Sequence, residues 1–158
     1  MPRLTLLLLA TLALVGCESR EVDKDLRIVG VKTGWYDAGV QKDGNNKLVP
    51  SVALALQNIS TRDIASVQLN AVFRRVGEQE AWGEHFIIGI NRSGLAPELT
   101  TSPIVLRSNL GYTSTEPRLQ MFKNKQFIDA KVEIYGKHGS ATWVKMGEYQ
   151  IDRDLLTE

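Results

Sequence analysis

The chain has 158 residues, of which 43% are hydrophobic and 23% are charged, and its formal net charge is +1 at pH 7. This length suits one domain with a core of its own. The nearly neutral charge argues against a long-range electrostatic grip on nucleic acid, so no nucleic-acid partner is expected.

The N-terminus has the layout of a secretory signal. One positive charge, Arg3, precedes the apolar run of residues 4–15. That run is shorter than the roughly 20 residues that a membrane-spanning helix needs. We therefore expect residues 1–16 to be a signal peptide that is cleaved from the mature protein.

The end of this run resembles the lipobox of bacterial lipoprotein precursors. Residues 14–17 are Leu-Val-Gly-Cys, and Cys17 is the only cysteine of the chain. In that family the cysteine is acylated and becomes the first residue of the mature protein, and two or more acyl chains anchor it stably. The resemblance implies lipidation of Cys17, membrane lipid as a partner, and a place at the periplasmic face of the bacterial envelope. Glu18 stands where an aspartate is associated with inner-membrane retention, which favours the outer membrane.

After the signal, the sequence predicts a tether and one all-β domain. Residues 17–25 combine the lipidated cysteine with a charged tether that reaches at most about 30 Å. From residue 26 to residue 158, β-branched and aromatic side chains recur between turn-rich segments. The predicted strands are residues 26–36, 48–57, 64–76, 82–90, 102–108, 126–136 and 141–150.

Two of these segments alternate clearly between apolar and polar residues. In residues 64–76 the predicted inward face is Val67, Leu69, Ala71 and Phe73. In residues 126–136 the predicted inward face is Ile128, Ala130, Val132 and Ile134.

The other elements are predicted from local composition. Residues 115–124 favour a short helix capped by Thr115, with Pro117 in its first turn, and residues 152–158 are expected to be a tail. The prediction is an all-β fold: a single antiparallel β-sandwich of about seven strands with at most one short helix. A small barrel is the alternative.

The segment from Val52 to Gly83 resembles the small immunoglobulin-like domains of bacterial envelope proteins, of the FxLYD type. It carries Val-Ala-Leu-Ala-Leu-Gln-Asn-Ile-Ser over residues 52–60, then Leu-Asn-Ala-Val-Phe over residues 69–73 and a turn at Gly77. The FxLYD signature itself is absent. The resemblance implies an immunoglobulin-like sandwich that serves as an interaction or structural module.

No pattern in the sequence predicts catalysis, a metal site or a cofactor. The two histidines, His85 and His138, are far apart in the chain, and no Gly-x-Ser-x-Gly nucleophile motif is present. We therefore predict that the protein is not an enzyme. Because triads assemble from distant positions, a hydrolase or carbohydrate-active enzyme stays open as an alternative.

A binding site is predicted at the loop of residues 111–116. Arg107 and Arg118 bracket this loop, and Tyr112 lies within it. Functional loops commonly sit on rigid scaffolds, so we predict a binding patch formed by Arg107, Tyr112 and Arg118.

The favoured function is a lipid-anchored, non-catalytic binding or structural module with an envelope protein as partner. An accessory subunit of an envelope export or assembly complex is an alternative, which differs in having an obligate partner. The sequence does not distinguish these two functions.

Overall fold

A computed structural model describes residues 21–156. The predicted signal peptide and Cys17 lie outside the described residues. Between residues 21 and 156 the chain forms nine strands and two one-turn helices. In chain order the elements are α1 (Val22–Asp25), β1 (Leu26–Val40), β2 (Asn46–Asn58), β3 (Val67–Arg75), β4 (Gly83–Ile90), β5 (Ile104–Arg107), β6 (Tyr112–Ser114), α2 (Arg118–Met121), β7 (Ala130–His138), β8 (Val144–Gln150) and β9 (Leu155–Leu156).

The strands form two sheets. The first has the order β5-β2-β1-β9, with β6 also alongside β2, and the second has the order β4-β3-β7-β8. The pairs are antiparallel except for β1 with β9, which is parallel. The sandwich-like, mostly antiparallel β architecture is therefore confirmed. The predicted count is corrected, since residues 21–156 contain nine strands and two helices instead of about seven strands and at most one helix.

The core lies between the two sheets and follows the predicted alternation. The four side chains predicted to point inward from β3 are fully buried, as are Ala130, Val132 and Ile134 of β7. Trp35 of β1 is also fully buried. Ile128 is an exception to the predicted inward face, because β7 begins only at Ala130 and leaves Ile128 exposed.

The folded part begins inside the segment that the sequence assigns to the tether. Val22 of α1 is 1% exposed and belongs to the core. Asp25 accepts a hydrogen bond from Arg62 at 3.1 Å, which ties the end of α1 to the turn after β2. Only five peptide steps separate Cys17 from Val22, a span of at most about 18 Å.

The C-terminal segment is tied to the sheet as well. The predicted tail contains β9, which pairs with Trp35 and Tyr36 of β1. The backbone N–H of Trp35 donates to the backbone carbonyl of Asp154 at 2.7 Å. A two-residue strand has no alternation to detect, so composition alone predicts a tail there.

The sandwich has two distinguishable ends. At the near end, where the chain enters, Leu26 pairs with Asn58, and His138 lies 3.7 Å from Asp25. At the far end, Val40 pairs with Asn46, and Arg75 pairs with Ala130. Because β1 runs from one end to the other, it separates them by several nanometres.

Candidate functional site

Half of the segment predicted as a functional loop is strand. Tyr112, Thr113 and Ser114 form β6, which pairs with Leu48, Lys47 and Asn46 of β2. Because β6 continues the edge that β5 begins on β2, the segment is held at the far end of the first sheet.

The helix predicted after this loop is shorter than expected. It covers only Arg118–Met121, and its N-cap position is Pro117, without a side-chain cap. Thr115 therefore does not cap it. The remaining residues up to Asp129 form a turn-rich segment that folds back over the far end.

Tyr112 belongs to a cluster of aromatic rings. Its ring centroid lies 4.7 Å from that of Phe127, 4.9 Å from that of Trp82 and 5.8 Å from that of Trp35. Its hydroxyl is 3.2 Å from both the backbone N–H and the carbonyl of Ile128. Tyr112 is therefore a fixed, half-buried side chain that packs beside the buried Trp35.

Arg118 is held by an ion pair across the far end. Its Nε lies 2.6 Å from Oδ2 of Asp37 on β1. Leu48 pairs with Asp37 on one side and with Tyr112 on the other. Tyr112 and Asp37, the residue that holds Arg118, therefore lie in one row across the first sheet.

Arg107 lies on the other face of that sheet. It pairs with Ser51, whereas Tyr112 pairs with Leu48, three residues away on β2. Side chains three residues apart on a strand point to opposite faces. The guanidinium of Arg107 stacks on Tyr36, 3.5 Å from the ring centroid. The structure therefore does not bring all three predicted site residues together.

A cleft of about 250 Å³ opens beside β6 and α2 at the far end. Apolar atoms of Tyr112, Met121 and Phe127 line it, together with the polar side chains of Thr113, Ser114, Glu116, Asn124 and Gln126.

The rim of the cleft is fixed by hydrogen bonds. The Asn124 amide donates to Oε2 of Glu116 at 3.2 Å, and the Asn46 amide donates to the Glu116 carbonyl at 2.8 Å. The lining residues include one carboxylate and no basic side chain. The arrangement suits an uncharged or cationic polar ligand that carries one small apolar group.

Sequence reasoning found only part of this cleft. Four of the lining residues lie within the predicted loop of residues 111–116, but Asn124, Gln126 and Phe127 belong to a segment that the sequence predicts as a helix or as part of the following strand. The placement of this segment depends on the contacts of Phe127 with Trp35 and Tyr112, which local sequence patterns do not reveal.

The two histidines lie at separate places. His85 Nδ1 is 3.0 Å from the backbone nitrogen of Arg107, which donates to it and so links β4 to β5. His138 lies near Asp25 at the near end. Within residues 21–156, no group of three or more His, Cys, Asp or Glu side chains is placed to hold a metal ion. In the same residues, no helix has the length and apolar character required to cross a membrane.

No protein-family model matches the chain, and a search of curated proteins finds no match.

Proposed function

We propose that this protein is a lipid-anchored lipoprotein of the bacterial envelope and that its immunoglobulin-like sandwich is a non-catalytic binding module. The observation that carries the proposal is the cleft beside β6 and α2, which lies at the end of the sandwich opposite to the chain entry. Cys17 is the proposed site of acylation. A tryptophan buried between two mostly antiparallel sheets supports the immunoglobulin-like class.

The fold separates the cleft from the near end, beside which the proposed anchor on Cys17 would lie. Eleven residue steps of β1 lead from Leu26 at the near end to Asp37 at the far end, a distance of about 35 Å at roughly 3.3 Å per residue. A lipid on Cys17 restricts only the near end, because the chain between Cys17 and Val22 is short. The cleft is therefore free to meet a partner in the envelope.

The chemistry of the cleft favours an extended segment of a partner protein. Its floor of Tyr112, Met121 and Phe127 accommodates one apolar side chain. Glu116 and the amides of Asn124 and Gln126 offer acceptors and donors to the backbone of such a segment. A basic residue of the partner next to the apolar one would pair with Glu116.

The anchor is tested by metabolic labelling of producing bacteria with an alkyne-bearing fatty acid. We expect wild-type protein to carry the label and to sediment with membranes, and the Cys17→Ala variant to lose both properties. Unlabelled wild-type protein in the soluble fraction would contradict the proposed anchor.

The cleft is tested separately by site-specific photo-cross-linking in cells. A cross-linking residue at Thr113 or Gln126, on the rim, should give the same discrete adduct with one partner. The matched control is Lys42, which is exposed in the far-end turn and does not line the cleft. Adducts of equal yield at Lys42, or none at the two rim positions, would refute the cleft as the binding site.

A further inference from the structure

An apolar surface lies on the outer face of the second sheet. Phe86 and Ile88 of β4 are 56% and 62% exposed, and Trp143, which precedes β8, is 37% exposed. The rings of Phe86 and Trp143 meet edge to face with their centroids 6.1 Å apart. We call these three side chains the apolar patch.

The patch is continuous across the sheet. The order β4-β3-β7-β8 places two strands between Phe86 and the strand that follows Trp143, so the indole reaches back across the outer face. Lys137 of β7 lies under this indole, with its Nζ 4.9 Å from the ring centroid. Contiguous exposed apolar surface of this kind marks an interaction site more often than scattered single residues do.

A buried polar atom lies inside the same surface. Asn70 of β3 pairs with Phe86 on one side and with Tyr135 on the other. Its Oδ1 is buried and has no hydrogen-bond partner within residues 21–156.

The patch occupies the near end of this face. Ile88 and Lys137 share one row through Gln68 of β3. The next residue of β7, His138, lies 3.7 Å from Asp25 at the end of α1. The apolar patch is thus beside the point where the chain enters the domain.

The other half of the same face is charged. Toward the far end, Glu133 receives hydrogen bonds from Arg74 and Lys145, and Glu148 receives one from Lys131. The face therefore changes from apolar to ionic with increasing distance from the chain entry.

We infer that the apolar patch docks on the surface of the lipid bilayer that holds the acyl chains of Cys17. The inference rests on the proposed acylation of Cys17. The chain from Cys17 to Val22 reaches at most about 18 Å, so it keeps the near end at the membrane surface. A surface tethered so closely meets the bilayer at a high effective concentration.

The chemistry of the patch suits the bilayer interface. Tryptophan is enriched at the level of the lipid headgroups, where its ring meets both apolar and polar surroundings. The ammonium of Lys137, which lies against the indole, adds a positive charge beside the patch that favours lipid phosphates. The charged half of the face stays in water because burying those ions is costly. The sandwich therefore contacts the bilayer only at its near end, and the cleft at the far end stays exposed to solvent.

The test uses quenching of tryptophan fluorescence by brominated lipid. Acylated full-length protein is reconstituted into phosphatidylcholine vesicles with or without bromine on the acyl chains near the headgroup. We expect bromine to reduce the emission of wild-type protein, and this loss to disappear in Trp143→Phe. The matched control, Trp82→Phe, removes an indole at the far end and should retain the quenching.

Vesicle flotation distinguishes the possible failures. Protein that floats with vesicles but is not quenched would overturn the docking proposal and leave the anchor intact. Protein that does not float would overturn the anchor and the docking with it. A third outcome is wild-type protein that is not quenched and sediments as a dimer, with the Ile88→Ser variant sedimenting as a monomer. This outcome would assign the patch to contact with a second copy of the chain instead.

Discussion

At the scale of single residues, Glu133 shows how a nearly buried charge is maintained on a sheet face. Its side chain is 11% exposed. Burial raises the pKa of Glu133, but hydrogen bonds from Lys145, Arg74 and Tyr135 together outweigh burial and lower the pKa to about 2. The carboxylate thus stays ionised because three donors from three positions around it converge on its oxygens.

This shift predicts a dependence of stability on acid. Since the pKa is lower in the folded state than the unfolded value of about 4.3, Glu133 stabilises the fold fully above the unfolded pKa. That stabilisation is lost as the pH falls toward 2. We expect Glu133→Gln to lower the free energy of unfolding at pH 7 by about 2 kcal/mol and to flatten its decline in acid, as measured by urea denaturation from pH 7 to pH 2.

The neighbouring Glu148 provides the control. Hydrogen bonds from Lys145 and Lys131 also lower the pKa of Glu148, but its side chain is 37% exposed. Glu148→Gln should therefore cost less than Glu133→Gln at pH 7, because solvent screens the more exposed pairs. Equal costs would show that burial does not strengthen the Glu133 network.

Asn58 is a second residue whose side chain stabilises the fold through local hydrogen bonds. It is fully buried, and its amide donates to the carbonyls of Arg62 and Leu95, both at 2.8 Å. Its Oδ1 accepts from the backbone and the hydroxyl of Ser60. The side chain thereby joins the end of β2 to two loops of the near end.

We expect Asn58→Ala to lower the free energy of unfolding by about 2–3 kcal/mol, since it removes the hydrogen bonds of a fully buried side chain to two loops and to Ser60. The control is Asn91→Ala, which removes a similar turn hydrogen bond to the backbone of Ser93 at an exposed position. Thermal or chemical denaturation compares the two variants. A loss at Asn91 as large as that at Asn58 would contradict the importance of burial.

At the scale of elements, long strands with an internal pattern are the predictable part. The alternation from Val67 to Phe73 gave the buried face of β3 correctly because each apolar side chain finds the opposite sheet. Shorter elements depend on distant partners. Val22 is hidden in a charged run but is buried beside Gly136, and β6 exists because Tyr112 pairs with Leu48.

Gly111 permits the approach of β6 to β2. A β-carbon at this position would lie 2.1 Å from the carbonyl oxygen of Leu48, and a backbone atom in a paired strand cannot move aside easily. We expect Gly111→Ala to lower the free energy of unfolding by about 2–4 kcal/mol and to accelerate amide hydrogen exchange at Thr113.

A substitution at Gly30 is the control that distinguishes backbone strain from the steric crowding expected at Gly111. It has a φ of +61°, and a β-carbon there would meet nothing within 4 Å. Gly30→Ala should cost only the left-handed strain of about 1–2 kcal/mol and leave hydrogen exchange in β6 unchanged. Faster exchange at Thr113 in this variant as well would argue that Gly111 has no special role.

At the scale of the whole molecule, two sheets are predictable from the sequence but the placement of the cleft is not. A sheet built from strands that alternate between apolar and polar residues has one apolar face, which must be covered by another apolar surface. In a sandwich the second sheet provides that surface. The segment of residues 115–129 carries no strong period, and its position is set by the contacts of Phe127 with Trp35 and Tyr112. The part of the candidate site that could be predicted is therefore the loop of residues 111–116, which supplies the lining residues Tyr112, Thr113, Ser114 and Glu116.

Because the cleft and the apolar patch lie at opposite ends of the sandwich, we expect them to differ in solvent access when the protein is bound to a membrane. Cys17 is the only cysteine, so acylation leaves an introduced cysteine as the one reactive thiol. In vesicles, a bulky water-soluble maleimide should label Gln126→Cys, on the cleft rim, severalfold faster than Ile88→Cys in the apolar patch. In detergent the two rates should approach each other, because the bilayer proposed to cover Ile88 is then absent while the folded domain is the same. A slow rate at Gln126 in vesicles would place the cleft against the membrane and contradict its proposed access to an envelope partner.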